Sequence, residues 1–333
     1  MSIAVRSFAK INLGLKIGPA RPDGFHELRT IYQTIALHDV VRVEVQRGSG
    51  IEIRCNDPRV PLDESNTCYQ AAERVLKAAK ASAKIIVQID KRLPVQGGLG
   101  AGSSNAVATM LGLERALGTE LAAEDKMLIA AEIGSDLPLF LIGGTVLGIG
   151  RGEEVYPLPD LPGMNLVIVT PPISVSTPKA FAQWDKLVAR EAELTGAGAA
   201  GTINKFSQAV DAWLKERVFS QAASASGPAS GVPEMGGDRA ETPLLDLVRA
   251  GIENDFERVV FPEYPDLREV KRVLEREGAR YASLSGSGST VYGLFGSGEE
   301  AQAAAVRLRA LGHAAVATTT LTREEYWNAA ARG

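Results

Sequence analysis

The sequence is poor in the residues that staple small scaffolds or build metal centres. Among 333 residues it has only two cysteines, Cys55 and Cys68, and no C-x-x-C pair. Neither a disulfide framework nor a zinc site is suggested. The three histidines, His26, His38 and His313, lie too far apart for a sequence-local metal motif. Positive charge is not in excess: 36 Lys and Arg stand against 40 Asp and Glu, a net charge of -4. That balance leaves no basic footprint for nucleic acid or an anionic membrane. Long apolar runs are also missing, since the most apolar stretch, 139–150, is short and broken by glycines. Arg6 and Lys10 interrupt the N-terminus before a signal-peptide core can form. The expectation is a cytoplasmic protein with no nucleic-acid or membrane partner, either a monomer or a homodimer.

What is present is ordinary globular material plus a local wealth of glycine. Hydrophobic residues make up 45% and charged residues 23%, the composition of a soluble globular chain. The length suits two domains, each able to bury a core. Residues 93–105, LPVQGGLGAGSSN, concentrate four glycines in six positions and lead into an apolar-periodic segment. Glycine permits positive φ and close backbone approach, and a helix start adds free N–H groups and a positive dipole end. A loop followed by a helix in this way is suited to cradle phosphate. It is not a Walker loop, because Ser103 stands where the lysine belongs; nor is it a dinucleotide fingerprint, because Ser103 also replaces the third glycine. The plainer reading is a flexible turn capped by Ser103 or Ser104.

Taken in order, the pattern predicts strand character over residues 2–17, an exposed loop over 18–28, and strands at 40–45 and 51–54. A helix over 66–81 and a strand over 84–89 lead into the glycine loop, and helices follow to about 117 and over 122–133. Short strands at 145–149 and 154–157, a boundary at 158–163, a strand at 164–169 and a helix from Thr177 come next. Residues 195–241 are rich in Ala, Gly, Ser and Pro and are expected to be mobile. The end reads helix (266–277), strand, Gly/Ser loop (285–289), strand, helix (299–311) and strand (313–319). Mixed helices and hairpin-like strand pairs favour an α+β fold of two domains, 1–160 and 161–330.

Four further features carry chemistry or have plainer readings. Ser285-Gly-Ser-Gly-Ser289 is suited to a phosphate or to a hairpin turn. Asp136 is either an acid at a cleft or a simple helix N-cap. Lys10 sits in an apolar strand, where a lysine needs a solvated face or a carboxylate partner such as Asp136. Phe25-His26 is either a ring-binding pair in a polar loop or incidental. Together they supply a phosphate loop, an acid to take a hydroxyl proton and a lysine to steady charge, which is what phosphoryl transfer needs.

The motifs 94-PVQGGLGAGSS-104, 283-SLSGSGST-290 and 9-AKINL-13 resemble those of the GHMP kinases, the family of galactokinase, homoserine kinase, mevalonate kinase and phosphomevalonate kinase. RPDGFHELRTIYQTI, GSDLPLFLIGG and RGEEVYPL narrow the resemblance to the branch acting on 4-diphosphocytidyl-2-C-methyl-D-erythritol. The resemblance implies an N-terminal domain like the second domain of ribosomal protein S5, a ferredoxin-like C-terminal domain, and a cleft where ATP meets a small-molecule substrate. It implies phosphorylation of the substrate's 2-hydroxyl with Asp136 as base and Lys10 as electrostatic partner. ATP would lie on Pro94, Val95, Gln96, Gly97, Gly98, Leu99, Gly100, Ala101, Gly102, Ser103 and Ser104, with Asn66 and Lys91 towards the adenine. Asn12, His26, Phe25 and Phe181 would hold the cytidine, the two phenyl rings sandwiching the base, with Thr177, Gly286 and Ser287 near the substrate. Mg²⁺ is expected with ATP, and Ser104 is its candidate ligand. The family pattern GLGGGSSDAA is departed from at Ala101 and Asn105, and Phe25 stands where tyrosine is usual. Other GHMP-type kinases, such as homoserine- or isopentenyl-alcohol-type enzymes, and a non-catalytic nucleotide-binding relative are the rival readings.

Overall fold

The computed structural model describes residues 2–95, 97–195, 207, 208, 210 and 253–331. Most of the 195–241 segment expected to be mobile, and Gln96 of the glycine loop, therefore lie outside the described residues.

The first sheet is organised by one long hairpin, β1 (Ser2–Ala20) and β2 (His26–Gln46), joined by a turn of only five residues. β3 (Gly50–Cys55), α1 (Thr67–Ala78) and β4 (Lys84–Asp90) form a crossover unit, so β3 and β4 pair in parallel while β4 runs antiparallel to β2. Next come α2 (Ala101–Leu117), α3 (Ala123–Ile133) and the one-turn α4 (Leu137–Phe140). β5 (Thr145–Ile149) and β6 (Glu154–Pro157) complete the sheet on the other side of β2, in the order β3-β4-β2-β5-β6 with β1 also on β2.

The second sheet contains β7 (Asn165–Val169), β8 (Tyr281–Leu284), β9 (Val291–Phe295) and β10 (Ala315–Thr319). Its order is β10-β7-β9-β8, all antiparallel, so the strands run fourth, first, third, second, as in a ferredoxin-like domain. Among the described residues, the helices packed with this sheet's half of the chain are α5 (Thr177–Thr195), α6 (Glu257–Glu263), α7 (Pro265–Arg276) and α8 (Gly298–Ala310). The expected α+β class, with two sheets in one chain, is what the structure has.

Three apolar cores follow from strand alternation. On the first sheet's helical side Val5, Val41, Val43 and Val87 meet Ala106, Met110 and Leu113 of α2. The second sheet packs on its own helices through Val167, Val169, Leu274 and Leu308. Between the sheets, Ile11 and Leu13 of β1 meet Leu166, Ile168, Tyr292 and Leu294. Since successive side chains on a strand point to opposite faces, sending Ile11 and Leu13 into that layer turns Lys10 and Asn12 the other way.

Two expectations are corrected. The loop expected over 18–28 is mostly strand: β1 runs on to Ala20, β2 begins at His26, and Arg21 closes the turn by donating its N–H to the Phe25 carbonyl at 2.7 Å and pairing with Glu27. A last helix, α9 (Arg323–Ala331), was not anticipated. It returns to the first half, where Tyr326 donates to the Phe140 carbonyl at 2.7 Å and Trp327 Nε1 to that of Ile142 at 2.9 Å. Among the described residues no helix is long and apolar enough to cross a membrane.

Candidate active site

The glycine loop leaves β4 and ends on α2. Gly98 and Gly100 have φ of +77° and +67°, so the left-handed turns that glycine tolerates fall on these two positions. Gly100 is the N-cap of α2 and no side chain caps the helix. The first-turn N–H groups, with the positive end of the helix dipole, therefore open on a cavity of about 370 Å³ lined by Pro94, Val95, Gly97 through Ser103, Asn66 and Lys91. Ala101 opens the helix itself and needs no glycine conformation. The capping expected of the serines does not occur. Ser104 is only 2% exposed, lies 2.7 Å from the Ser7 hydroxyl and is not part of the cavity wall, whereas Ser103 is. The structure thus places the Ser104 hydroxyl against Ser7 rather than on the cavity wall.

Asn66 lines the cavity while capping α1, its side-chain oxygen accepting from Cys68 N at 2.8 Å and its amide donating to the Pro61 carbonyl at 2.6 Å. Lys91 also lines it, but its ammonium is committed to Asp39 and to the Leu93 carbonyl, both at 2.7 Å. Its role here is to hold the loop.

A second cavity of about 640 Å³ lies on the other side of the loop, lined by Lys10, Asn12, Phe25, His26, Tyr32, Asp136, Arg151, Thr177, Phe181, Gly286 and Ser287. Gly98 is the one residue common to both walls. A Cβ there would lie 2.3 Å from the Ser285 carbonyl oxygen, because the two glycine loops dock backbone against backbone. Ser285 Oγ donates to the Gly98 carbonyl at 2.9 Å and Thr290 N to that of Gly97 at 3.2 Å. Asn254 supports the second loop from behind, its amide donating to the carbonyls of Leu284 and Gly286 at 2.8 Å each. Thr177 and Ser287 join hydroxyls at 2.8 Å across the cavity wall.

At the junction of the cavities stand Lys10 and Asp136. Register slips at Phe8/Ala9 and Asn12/Gly14 bracket Lys10 and Asn12 on β1, and such bulges re-aim side chains. Lys10, 3% exposed, has its ammonium 3.3 Å from Asp136 Oδ2 and 2.7 Å from Asn12 Oδ1. Its stem passes Gly100, whose absent Cβ would lie 3.1 Å from Lys10 Cγ, and its tip lies under Gly286, 3.6 Å from where that Cβ would be. Asn12, expected against the cytidine, uses its amide on Lys10 and on Thr30 Oγ1, at 2.8 Å. It holds the lysine in place. Asp136 precedes α4 yet makes no capping hydrogen bond, so the plain N-cap reading is set aside. Its side chain is 32% exposed and opens on the cavity.

Sequence reasoning missed Tyr32, which donates to Asp136 Oδ1 at 3.1 Å. Burial, reinforced by the charge of Asp136, pushes its phenol well above the usual tyrosine range, so it stays a donor. A Cβ on Gly148 or Gly152 would lie 2.5 Å from its ring or hydroxyl, so the two glycines make its slot. Tyr32 pairs across the hairpin with Asn12, and that pairing is the signal that places it beside Lys10. Arg151 was missed too; its guanidinium lies over the Phe25 ring, 4.9 Å from the centroid.

The aromatic set departs in part from expectation. Phe25 is 50% exposed at the cavity mouth. Phe181 stacks on His26, with centroids 4.8 Å apart and planes 10° off parallel, and His26 Nε2 lies 2.7 Å from Asp185 Oδ1. One face of Phe181 is thus already covered by the imidazole.

Two cavities meeting at a Gly-rich loop, with a lysine–aspartate pair at the join, can carry a phosphoryl group from one occupant to the other. Comparison with known proteins gives that geometry a family. Residues 66–144 match the GHMP kinases N terminal domain and residues 241–314 the GHMP kinases C terminal domain. A 4-diphosphocytidyl-2-C-methyl-D-erythritol kinase of Solibacter usitatus is 37% identical over 292 residues, covering 87% of this chain and 80% of that one. The same-named kinase of Acaryochloris marina is 34% identical over 308 residues, covering 90% and 89%. The chain belongs to the 4-diphosphocytidyl-2-C-methyl-D-erythritol kinase family. A crystal structure of a 4-(cytidine 5'-diphospho)-2C-methyl-D-erythritol kinase superposes with a TM-score of 0.69 at 28% identity, covering 96% of this chain and 99% of that one. As a member of this family of GHMP kinases, the protein is an ATP-dependent kinase, and the loop before α2 lies within the residues matched by the family's N-terminal domain.

Proposed function

We propose that the protein transfers the γ-phosphoryl group of ATP to the 2-hydroxyl of 4-diphosphocytidyl-2-C-methyl-D-erythritol, giving ADP and the 2-phosphate in the non-mevalonate (methylerythritol phosphate) route to isoprenoid precursors. The observation that carries this reading is the single shared wall at Gly98, with Lys10 and Asp136 beside it. ATP lies along Pro94–Ser103 with its phosphates on the α2 N-terminus, and the acceptor lies in the larger cavity.

Asp136 accepts the hydroxyl proton as the oxygen attacks the γ-phosphorus and the bond to the ADP oxygen breaks. Lys10, 3.3 Å from Asp136, steadies the charge on the transferring group, and Tyr32 and Asn12 hold the pair from either side. The cytosine packs against Phe25 and Phe181, with His26 as the polar neighbour. Thr177, Gly286 and Ser287 line the path between the rings and the reacting hydroxyl.

Among the described residues no group of three or more His, Cys, Asp or Glu side chains is placed to hold a metal. Mg²⁺ is expected to enter with the triphosphate, where it would neutralise phosphate charge. Of the two loop serines, Ser103 lines the cavity and would be the one to hold such an ion. Residues 1–160 form the ATP-side domain and 161–330 the domain that closes the acceptor cavity, with α9 packed back on the first. The enzyme acts in the cytoplasm on a small molecule, as a monomer or homodimer, without nucleic acid or membrane.

An ADP-release assay with 4-diphosphocytidyl-2-C-methyl-D-erythritol, homoserine and mevalonate tests the reading. Turnover with the first alone is expected; preference for homoserine or mevalonate would overturn the substrate assignment.

A further inference from the structure

Asp39, on β2, is completely buried and has no part in the chemistry above. Its carboxylate accepts four hydrogen bonds. Oδ1 receives the backbone N–H groups of Arg92 and Leu93 at 2.7 Å each. Oδ2 receives Lys91 Nζ at 2.7 Å and Asn105 Nδ2 at 3.0 Å. Arg92 and Leu93 lead into the phosphate loop, and Asn105 lies just past the first turn of α2, the helix that leaves it. One buried anion therefore ties the two ends of the loop together. The tie continues outward: Asn105 Oδ1 accepts from Ser7 Oγ at 2.6 Å, and Ser7 contacts Ser104 at 2.7 Å. The charges close locally, since Lys91 is the cation for Asp39 and Asn105 adds a donor without adding charge.

Resting on the reading that this loop holds ATP, we infer that Asp39 is a positioning residue for the nucleotide and that Asn105 is an amide because Asp39 faces it. The loop presents backbone N–H groups, so its affinity for phosphate depends on where its two ends are held. A carboxylate at 105 would put a second anion about 3 Å from Asp39 Oδ2, remove the donor, and leave one buried charge without a cation.

The test measures ATP affinity by calorimetry and KM for both substrates in Asn105→Asp, Asn105→Ala, Asp39→Asn and the exchanged double variant Asp39→Asn/Asn105→Asp, with thermal melting as a check of folding. Asn105→Asp is expected to weaken ATP binding about thirtyfold while KM for the cytidyl substrate stays within twofold, and Asn105→Ala about threefold. The exchanged double variant is expected to bind ATP more tightly than Asn105→Asp alone, because it restores one carboxylate facing one amide. Equal effects of Asn105→Asp and Asn105→Ala, or a double variant no better than Asn105→Asp, would overturn the inference. A lower melting temperature with unchanged ATP affinity would do so as well. Should Asp39→Asn not fold, the comparison of the two Asn105 variants still decides. If the native enzyme itself binds no ATP, the functional reading fails instead, and the two failures are distinct.

Discussion

The two cavities on either side of Gly98 are built from different materials. The smaller one has the glycine loop and the start of α2 on one side and residues from Val60 to Cys68 on the other, and the lysine in its wall is already paired with Asp39. Its selectivity for phosphate rests on N–H groups whose direction is set by φ at Gly98 and Gly100. The larger cavity is made of side chains brought from β1, β2, α5 and several loops, with Lys10, Arg151, Asp136 and the five rings of Phe25, His26, Tyr32, Phe181 and Phe256. A site of backbone groups binds what many nucleotides share; a site of converging side chains distinguishes one acceptor from another.

That contrast can be broken most severely at the shared residue. Gly98→Ala needs a strained φ and drives a methyl into the Ser285 carbonyl, 2.3 Å away in the present geometry. It should lower kcat/KM for both substrates by about a hundredfold or more, since sub-ångström misplacement of reacting groups is costly. An effect confined to one substrate would separate the cavities. Phe181→Ala should raise KM for the cytidyl substrate by about ten- to a hundredfold, the worth of one base–aromatic stack, and leave KM for ATP within twofold. Equal effects on both would remove the ring from base recognition. Tyr32→Phe keeps the packing against Gly148 and Gly152 but loses the bond to Asp136. A fall in kcat of about five- to tenfold with both KM values unchanged is expected from steady-state kinetics. The smallest effect belongs to Cys68 in the ATP cavity, whose buried thiol is pushed up to about 12. It stays protonated at pH 8, so peptide mass spectrometry after iodoacetamide should find Cys55 alkylated and Cys68 intact; labelled Cys68 would mean that this wall opens.

The same contrast explains what was legible in the sequence. The phosphate-facing part of the smaller cavity is contiguous, and a loop-then-helix with its turn-forming glycines can be read from residues 93–105 alone. The acceptor side is scattered from Lys10 to Ser287: Lys10, Asp136, Phe25-His26 and the loop 285–289 stand out by their own chemistry, whereas Asn12, Thr177 and Phe181 came through resemblance. The first half of β2 hid behind buried polar side chains. Thr30, Gln33 and Thr34 are all buried, which disrupts the apolar alternation that marks a strand. Each is satisfied by a distant partner, as when Gln33 donates to the Leu321 carbonyl at 2.8 Å and accepts from Thr145 at 2.7 Å. Such partners are known only once the chain is folded. Helix α9 was a different case. Thr322 and Glu325 form a capping box, Thr322 N donating to the Glu325 carboxylate at 2.9 Å and Glu325 N to Thr322 Oγ1 at 3.2 Å, and that signal stands in the sequence as T-x-x-E.

The central claim, transfer across Gly98 with Asp136 taking the proton, is tested most directly by following the γ-phosphoryl group by ³¹P NMR in the native enzyme and in Asp136→Asn. The account predicts a single 2-phosphate product from the native enzyme. It also predicts a rate about 10²–10⁴-fold lower in the variant, with ATP affinity retained. Near-native transfer by Asp136→Asn, or phosphate on a different hydroxyl, would contradict it.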